Sequence, residues 1–423
     1  MHICFLSQYF PPEVNAPAKR LWDNARQWVA DGHRVTVLTV FPHHPRGVVP
    51  RGYRRKWLMR EKREGIEIVR TFVYPARNAG FLRRTLGYIT VMISMVLLGP
   101  FVIRRPDVLV ATSPQFFVAM GGYALSRLMR VPFVFEVRDL WPEAIVGVGA
   151  VTNPRVIRVL EGIETGLYRG ADRIVVVTRS FSDFIQKRGI DAKKIDIIKN
   201  GIMTGDFEVP IDAKRVRDEL GFGDAFVVTY VGTHGMMHGL SAVLRAAKLL
   251  QDDERIRFLF VGDGAERASL LKLKEELGLS NVMMLPQQPR ERAIELLRIS
   301  NLALVPLRKI EVLKTVLPSK IPEAMAAGIP ILLGVQGEAQ ELVEEVHAGV
   351  CVEPENSREM AEAVRSLASD PQRCRQLGEN GRKYVRRHMD RTVLARTYER
   401  VLEEVVRAEK AGRGPAARKD GGQ

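Results

Sequence analysis

Ser319, Lys320 and Glu323 combine residue types and spacing that suit anion chemistry. They sit in Leu317-Pro-Ser-Lys-Ile-Pro-Glu-Ala-Met-Ala-Ala-Gly-Ile-Pro-Ile-Leu-Leu333, which predicts a helix that begins at a polar turn and stops at Gly328, with a buried strand directly behind it. The first turn of a helix offers backbone N–H groups without intrahelical partners and the positive end of the helix dipole, so a phosphate is stabilised there. A carboxylate on the same turn can accept hydrogen bonds from vicinal hydroxyls such as those of a ribose. Phosphate seat and hydroxyl reader together describe a nucleotide-sugar site. An ordinary capped helix with a strand after it satisfies the same local pattern.

Three further loops carry candidate chemistry. Tyr230-Val-Gly-Thr-His-Gly-Met-Met-His-Gly239 is a glycine-rich turn between a predicted strand and a helix, and Val261-Gly-Asp-Gly264 repeats the device after the next strand. Glycines permit close backbone approach, so the two loops can line one groove. Phe135-Glu-Val-Arg-Asp-Leu-Trp-Pro-Glu143 gathers Arg138, Asp139, Trp141 and Glu143 after a strand and runs on into Gly147-Val-Gly149. There an arginine can hold phosphate, a carboxylate can accept a sugar hydroxyl and an indole can stack on a ring; an Arg–Asp pair beside a core tryptophan is the structural alternative. In Phe5-Leu-Ser-Gln-Tyr-Phe-Pro-Pro-Glu-Val-Asn-Ala-Pro-Ala-Lys-Arg20, Pro11-Pro12 stiffens the loop and Asn15 is placed to cap the next helix. His234 and His238 have the i, i+4 spacing of metal ligands, but no acidic partner with ligand spacing accompanies them. Asp-x-Asp at a strand end, Gly-x-x-x-x-Gly-Lys-[Ser/Thr], Gly-x-Ser-x-Gly and an initial Gly-x-Gly-x-x-Gly are all absent, so no metal and no cofactor is expected.

The elements that must position these residues alternate along the chain. Short β-branched runs at 3–7, 34–40, 66–72, 107–111, 133–137, 173–177, 195–198, 226–231, 257–261, 282–285, 302–305, 329–333 and 349–352 are separated by helical patterns. Such alternation predicts parallel, doubly wound α/β sheets, and uninterrupted apolar runs such as Ile174-Val-Val-Val177 fit strands covered on both faces. Turn signals cluster between Asn200 and Pro210. The expected organisation is one Rossmann-like domain over 1–203, a second over 204–385, a helix over 386–410 returning to the first domain, and a disordered tail over 411–423. The two domains are expected to face a central cleft, with ligands outside the carboxyl ends of the strands.

Composition narrows the setting. With 423 residues, 46% hydrophobic and 27% charged, the chain has material for a sizeable core. The three cysteines (Cys4, Cys351, Cys374) show no C-x-x-C spacing, which fits a reducing cytoplasm, and the chain opens on Ile3-Cys-Phe-Leu6 without a secretory pattern. A net charge of +15 calls for an anionic partner. Much of the excess lies in Arg51-Gly-Tyr-Arg-Arg-Lys-Trp-Leu-Met-Arg-Glu-Lys-Arg63, and an uncharged stretch from Leu86 to Ile103 lies close by, bracketed by arginine pairs. Gly99-Pro100 is expected to interrupt this stretch. We read it as a core helix exposing an apolar edge to the membrane interface, with a wholly buried helix and a true span as the alternatives. Basic residues beside an apolar helix favour an anionic membrane surface over nucleic acid.

Taken together, Gln8-Tyr-Phe-Pro-Pro-Glu13, Arg138-Asp-Leu-Trp-Pro-Glu143, Tyr230-Val-Gly-Thr-His-Gly235 and Leu317-Pro-Ser-Lys320 with Glu323-Ala-Met-Ala-Ala-Gly328 resemble the family 4 retaining glycosyltransferases of the GT-B fold, over residues 1 to about 405. Within that family the chain is most similar to bacterial enzymes that build O-antigen and capsule repeats on a lipid carrier. The resemblance implies a UDP-sugar donor, with an N-acetylated amino or deoxy sugar, a polyprenyl-diphosphate-linked acceptor, and a peripheral position on the inner face of the cell membrane. By the same resemblance, the first domain is the acceptor side and the second binds the nucleotide sugar. It implies that Lys320 holds the departing diphosphate, that Glu323 holds the ribose, that Ser319 completes the phosphate cradle, and that Gly232, Thr233, Gly262 and Gly264 shape the groove. Arg290 falls where the family positions the base, and Asp139, with Arg138 beside it, where the family has acceptor-side active-site residues. Three positions depart from the pattern: Thr315 replaces the first of two paired glutamates, His238 a lysine, and Asn15 a small glycine. The first two leave Lys320 with more of the phosphate grip.

Two rivals make different predictions. A nucleotide-sugar epimerase of similar architecture converts a UDP-sugar without an acceptor. A basic polyanion-binding protein has salt-sensitive binding and no nucleotide-sugar affinity.

Overall fold

The structure, a computed structural model, describes residues 1–13, 15–43, 47–75, 81–113, 116–143, 146 and 151–412. It divides into two units, Met1–Lys199 with Leu394–Gln423, and Asn200–Val393.

The first unit is built on a sheet of eight strands among the described residues: β1 (His2–Leu6), β2 (Arg34–Val40), β3 (Leu58–Arg63), β4 (Ile66–Thr71), β5 (Val108–Thr112), β6 (Phe133–Val137), β7 (Arg173–Val176) and β8 (Ile195–Ile197). Their spatial order is β3-β4-β2-β1-β5-β6-β7-β8. β1 pairs in parallel with both β2 and β5, so the winding reverses beside it. Alternate side chains feed two cores. Cys4, Leu6, Leu109 and Phe133 face one layer, while Ile3, Phe5, Val35 and Val134 face another that includes Trp28 and Tyr398. Coverage of both faces explains why the central strands β1, β5, β6 and β7 are largely apolar.

β3 is a strand that the sequence pattern did not predict. Leu58-Met-Arg-Glu-Lys-Arg63 lies in the basic segment and runs antiparallel to β4 at the sheet edge. Charges on both of its faces erase the period-2 signal, and the same charges protect an exposed edge from further pairing. Glu61 on this strand accepts a 2.5 Å hydrogen bond from the buried Arg70 of β4.

The apolar stretch forms one helix, Phe81–Val102, and Pro100 does not interrupt it. Pro100 stands in the last turn, where its missing N–H removes a single bond, and the Ile103 N–H closes onto the Gly99 carbonyl at 3.0 Å. Val91 and Met95 are fully buried, whereas Leu97 and Phe101 are 64% and 85% exposed. A Cβ on Gly99 would come within 2.8 Å of Leu125, so the helix Phe116–Met129 lies close against it.

The second unit carries a fully parallel sheet of β9 (Phe226–Val231), β10 (Ile256–Val261), β11 (Val282–Leu285), β12 (Leu302–Pro306), β13 (Ile331–Gly334) and β14 (Gly349–Cys351). The order β11-β10-β9-β12-β13-β14 reverses between β9 and β12. In open parallel sheets a ligand crevice forms at such a reversal, beyond the carboxyl ends of the strands. β13 begins two residues later than expected because Gly328, at φ +71°, ends the preceding helix in a left-handed turn and Pro330 follows.

The chain end differs in detail from the expectation. Pro371–His388 and Arg391–Gly412 are separate helices rather than one beginning at 386. Between them Ile202 donates to the Met389 carbonyl and accepts from the Arg391 N–H, at 2.9 and 3.0 Å. The unit boundary falls at 199/200 instead of 203/204, and residues from Leu394 group with the first unit. Residues 411 and 412 are helical, and the rest of the expected tail lies outside the described residues.

Candidate active site

In the second unit the two glycine loops interlock. Gly232 after β9 and Gly262 and Gly264 after β10 adopt φ of +148°, +150° and +155°. A Cβ on Gly262 would stand 1.9 Å from the Gly232 carbonyl oxygen, and one on Gly264 would stand 2.5 Å from that of His234. The glycines therefore let two backbones touch, which the sequence reading assigned to ligand approach. The Tyr230 hydroxyl donates to the Thr233 carbonyl at 2.6 Å and holds the first loop in place.

Lys320 reaches this junction from the helix Lys320–Ala327. Its Nζ stands 5.1 Å from the centre of the Tyr230 ring, and a Cβ on Gly232 would be 2.8 Å from it. Burial lowers the Lys320 pKa, and Glu323 opposes the shift. The helix is fixed from behind by Pro371–His388, where Gly378 approaches the Gly328 carbonyl and Gly381 meets Met325. Ser319 precedes it but makes no capping hydrogen bond, contrary to the capped start expected. Pro322 in the first turn also removes one of the backbone donors counted on there.

Glu323 and Arg290 come together. Arg290 opens the helix Arg290–Arg298 and lies 3.8 Å from Glu323 and 3.0 Å from Asp206. Burial raises the Glu323 pKa, against the pull of Arg290, Lys320 and Arg391. Asp206 and Arg391 were not found from sequence, since each lies in a segment with no site pattern of its own. His238 ends the short 3-10 turn Met236–His238; its pKa falls to about 4 through burial, then through Lys320 and His234. No third ligating side chain joins His234 and His238 among the described residues. Thr315 ends the turn Glu311–Thr315, and the neighbouring Lys314 carbonyl would be 2.3 Å from a Cβ on Gly337.

In the first unit Asn15 caps the helix Ala16–Ala30 by accepting from the Ala18 N–H at 2.9 Å. Arg138 and Asp139 follow β6, and both backbone N–H groups donate to Ser113 Oγ. The Arg138 side chain pairs with Glu136 at 3.3 Å, not with Asp139. Glu136 also takes Arg20 at 2.8 Å, a partner that sequence reasoning missed because it lies 116 residues away, in the helix Ala16–Ala30. Burial and the neighbouring Arg20 bring the Arg138 pKa down to about 9. Burial raises Asp139, with Arg138 and Arg20 opposing. Trp141 stacks on Phe116 at 4.6 Å and so serves the core, while Glu143 accepts from Arg188. Gly147 and Gly149 lie outside the described residues.

Residues 15–201 match the family described as glycosyl transferase 4-like domain, and residues 212–384 match glycosyl transferases group 1. A putative colanic acid biosynthesis glycosyl transferase, WcaI of Escherichia coli K12, is 25% identical across 92% of this chain and 96% of its own length. Among solved structures, sucrose-phosphate synthase from Thermosynechococcus elongatus aligns with a TM-score of 0.76 at 17% identity, covering 96% of this chain and 99% of that one. Anabaena HepE in complex with UDP aligns with a TM-score of 0.69 at 19% identity, covering 96% of this chain and all (100%) of that one. Two Rossmann-like sheets, matched one after the other by these two families, establish that the chain belongs to the family 4 glycosyltransferases of the GT-B fold.

Proposed function

We propose that the protein is a retaining transferase that moves a sugar, an N-acetylated amino or deoxy sugar, from a UDP-sugar to a polyprenyl-diphosphate-linked saccharide in cell-surface polysaccharide synthesis. One observation carries this reading: Lys320 lies over Gly232 and Tyr230 at the reversal of the second sheet, on the same helical turn as Glu323. A diphosphate placed there meets the lysine, the N-terminal end of its helix and Ser319, while Glu323 and Arg290 sit where a ribose and a base would follow. Gly262 and Gly264 keep the second loop low enough to leave the groove open. The UDP complex of the Anabaena relative supports the choice of nucleotide, and the E. coli relative's name supports the polysaccharide context.

In this reading the acceptor hydroxyl attacks from the face that the diphosphate leaves. Lys320 stabilises the negative charge that develops on the departing oxygen, and Asp139 with Arg138 orients the acceptor. The exposed stripe Leu86, Ile93, Leu97 and Phe101, together with nearby exposed arginines such as Arg104 and Arg105, fits an anionic bilayer surface on the cytoplasmic side.

A panel of UDP-sugars offered to the purified protein with polyprenyl-diphosphate-linked acceptors tests the reaction. Acceptor-dependent UDP release with retained anomeric configuration is expected. Turnover of a UDP-sugar into its epimer without acceptor would overturn the assignment.

A further inference from the structure

His234 is the most deeply buried polar side chain of the donor region. It is 0% exposed, and neither ring nitrogen has a hydrogen-bond partner within the protein. Its ring and that of His238 both lie against Tyr230, with centroids 5.9 and 6.0 Å away, and the Lys320 ammonium lies over the same ring. Nδ1 of His238 is likewise buried and has no protein hydrogen-bond partner. One imidazole nitrogen is thus left as a base a short distance from the proposed diphosphate seat.

Cations and carboxylates around the pair are equal in number, but Lys320 is the one charge that acts on both rings. Lys320 faces both rings, and Arg267 and Asp263 face His234. Glu266 acts on Tyr230, and Arg308 and Glu355, themselves paired at 3.6 Å, flank Gly239 next to His238. Burial first, then repulsion from Arg267 and Lys320 at His234 and from Lys320 at His238, disfavours the charged form of both imidazoles. A diphosphate reverses the sign of the local field. One unit charge about 4 Å away, at an effective dielectric of about 20, moves a pKa by about three units.

We infer that the His234–His238 pair takes up about one proton, shared as a coupled pair, when the donor diphosphate binds, so that donor affinity rises as pH falls. This rests on the nucleotide-sugar reading above. His238 is the diphosphate-facing member and His234 its positioning residue beneath.

Calorimetry of UDP-glucose and UDP-N-acetylglucosamine binding tests the inference, because their diphosphates carry no proton that titrates near neutrality. Measured at about pH 6 in two buffers of different ionisation enthalpy, binding should show uptake of about one proton. The Kd should weaken about tenfold per unit between about pH 5.5 and 7, then level off. His238→Lys, a permanent cation, should flatten that profile and hold affinity near its acidic value. His234→Gln should reduce the uptake, with unfolding monitored to confirm an intact fold. Binding with no proton uptake, or a His238→Lys profile as steep as the parent's, overturns the inference while leaving the nucleotide site standing. Failure of UDP and both sugar nucleotides to bind at any pH overturns the nucleotide reading itself.

Discussion

The two domains treat their buried charge in opposite ways. In the first, Arg20 and Arg138 converge on Glu136, and Arg188 meets Glu143 and Glu161, so the cations are held by the protein's own carboxylates. In the second, Lys320 rests on an aromatic face with no ion-pair partner among the described residues, and the nearby Glu323 is turned toward Arg290. Self-neutralised charge fixes loops in position, whereas a cation without a carboxylate partner costs stability that an arriving anion returns. The difference fits a division of labour in which one domain supplies shape for an acceptor and the other supplies charge for a leaving group.

The largest expected effect tests the charged side of that contrast. Lys320→Ala should lower kcat by about 10²–10³ with an unfolding temperature equal to or above the parent's. Near-normal transfer by this variant would remove the lysine from the mechanism. Next comes the interlock of the loops. Gly262→Ala forces a Cβ onto the Gly232 carbonyl at a backbone angle unsuited to alanine, and should cost about 2–3 kcal/mol in denaturant unfolding. Stability equal to the parent's would mean that the loops part easily.

A smaller change is expected for Glu323→Ala. Loss of two ribose hydrogen bonds should weaken UDP binding about tenfold, read by calorimetry, with little change in kcat. Unchanged affinity would contradict the ribose role.

The smallest effect probes the self-neutralised side. Burial pushes the Glu164 carboxyl up to about 8, while Tyr168 donates to it at 2.5 Å. A raised carboxyl pKa means the folded state holds a proton that the unfolded chain has released above about pH 4.3. Its contribution is full below that value and is lost as pH rises through about 8. Glu164→Gln should therefore give a shallower fall of stability between about pH 4.3 and about pH 8, with the two profiles running parallel above that range. An unchanged pH profile would show that the cluster around Arg188 does not depend on that proton.

Much of the fold was legible because burial on both faces writes itself as uninterrupted apolar runs: Ile174–Val177 and Phe258–Val261 announce strands without help from their neighbours. β3 was not legible because an edge strand is shaped by what it avoids, and Arg60, Glu61 and Lys62 look like any solvated surface. In the site, Ser319, Lys320 and Glu323 were visible as one turn of one helix. Arg20, Asp206 and Arg391 were not, since each meets its partner only after the chain has folded over more than sixty residues. Trp141 had two readings from its motif, a ligand platform and a core residue, and its stacking on Phe116 favours the core.

The contact of Gly262 with Gly232 also bears on how such an enzyme can change over generations. Neither loop can acquire a side chain at these points while the other keeps its path, so a single substitution in either meets selection before any compensating change arrives. New donor preferences are more accessible through Arg290, whose side chain meets Asp206 and Glu323 and not that junction of backbones. Inheritance is therefore conservative in the floor of the groove and permissive along its walls.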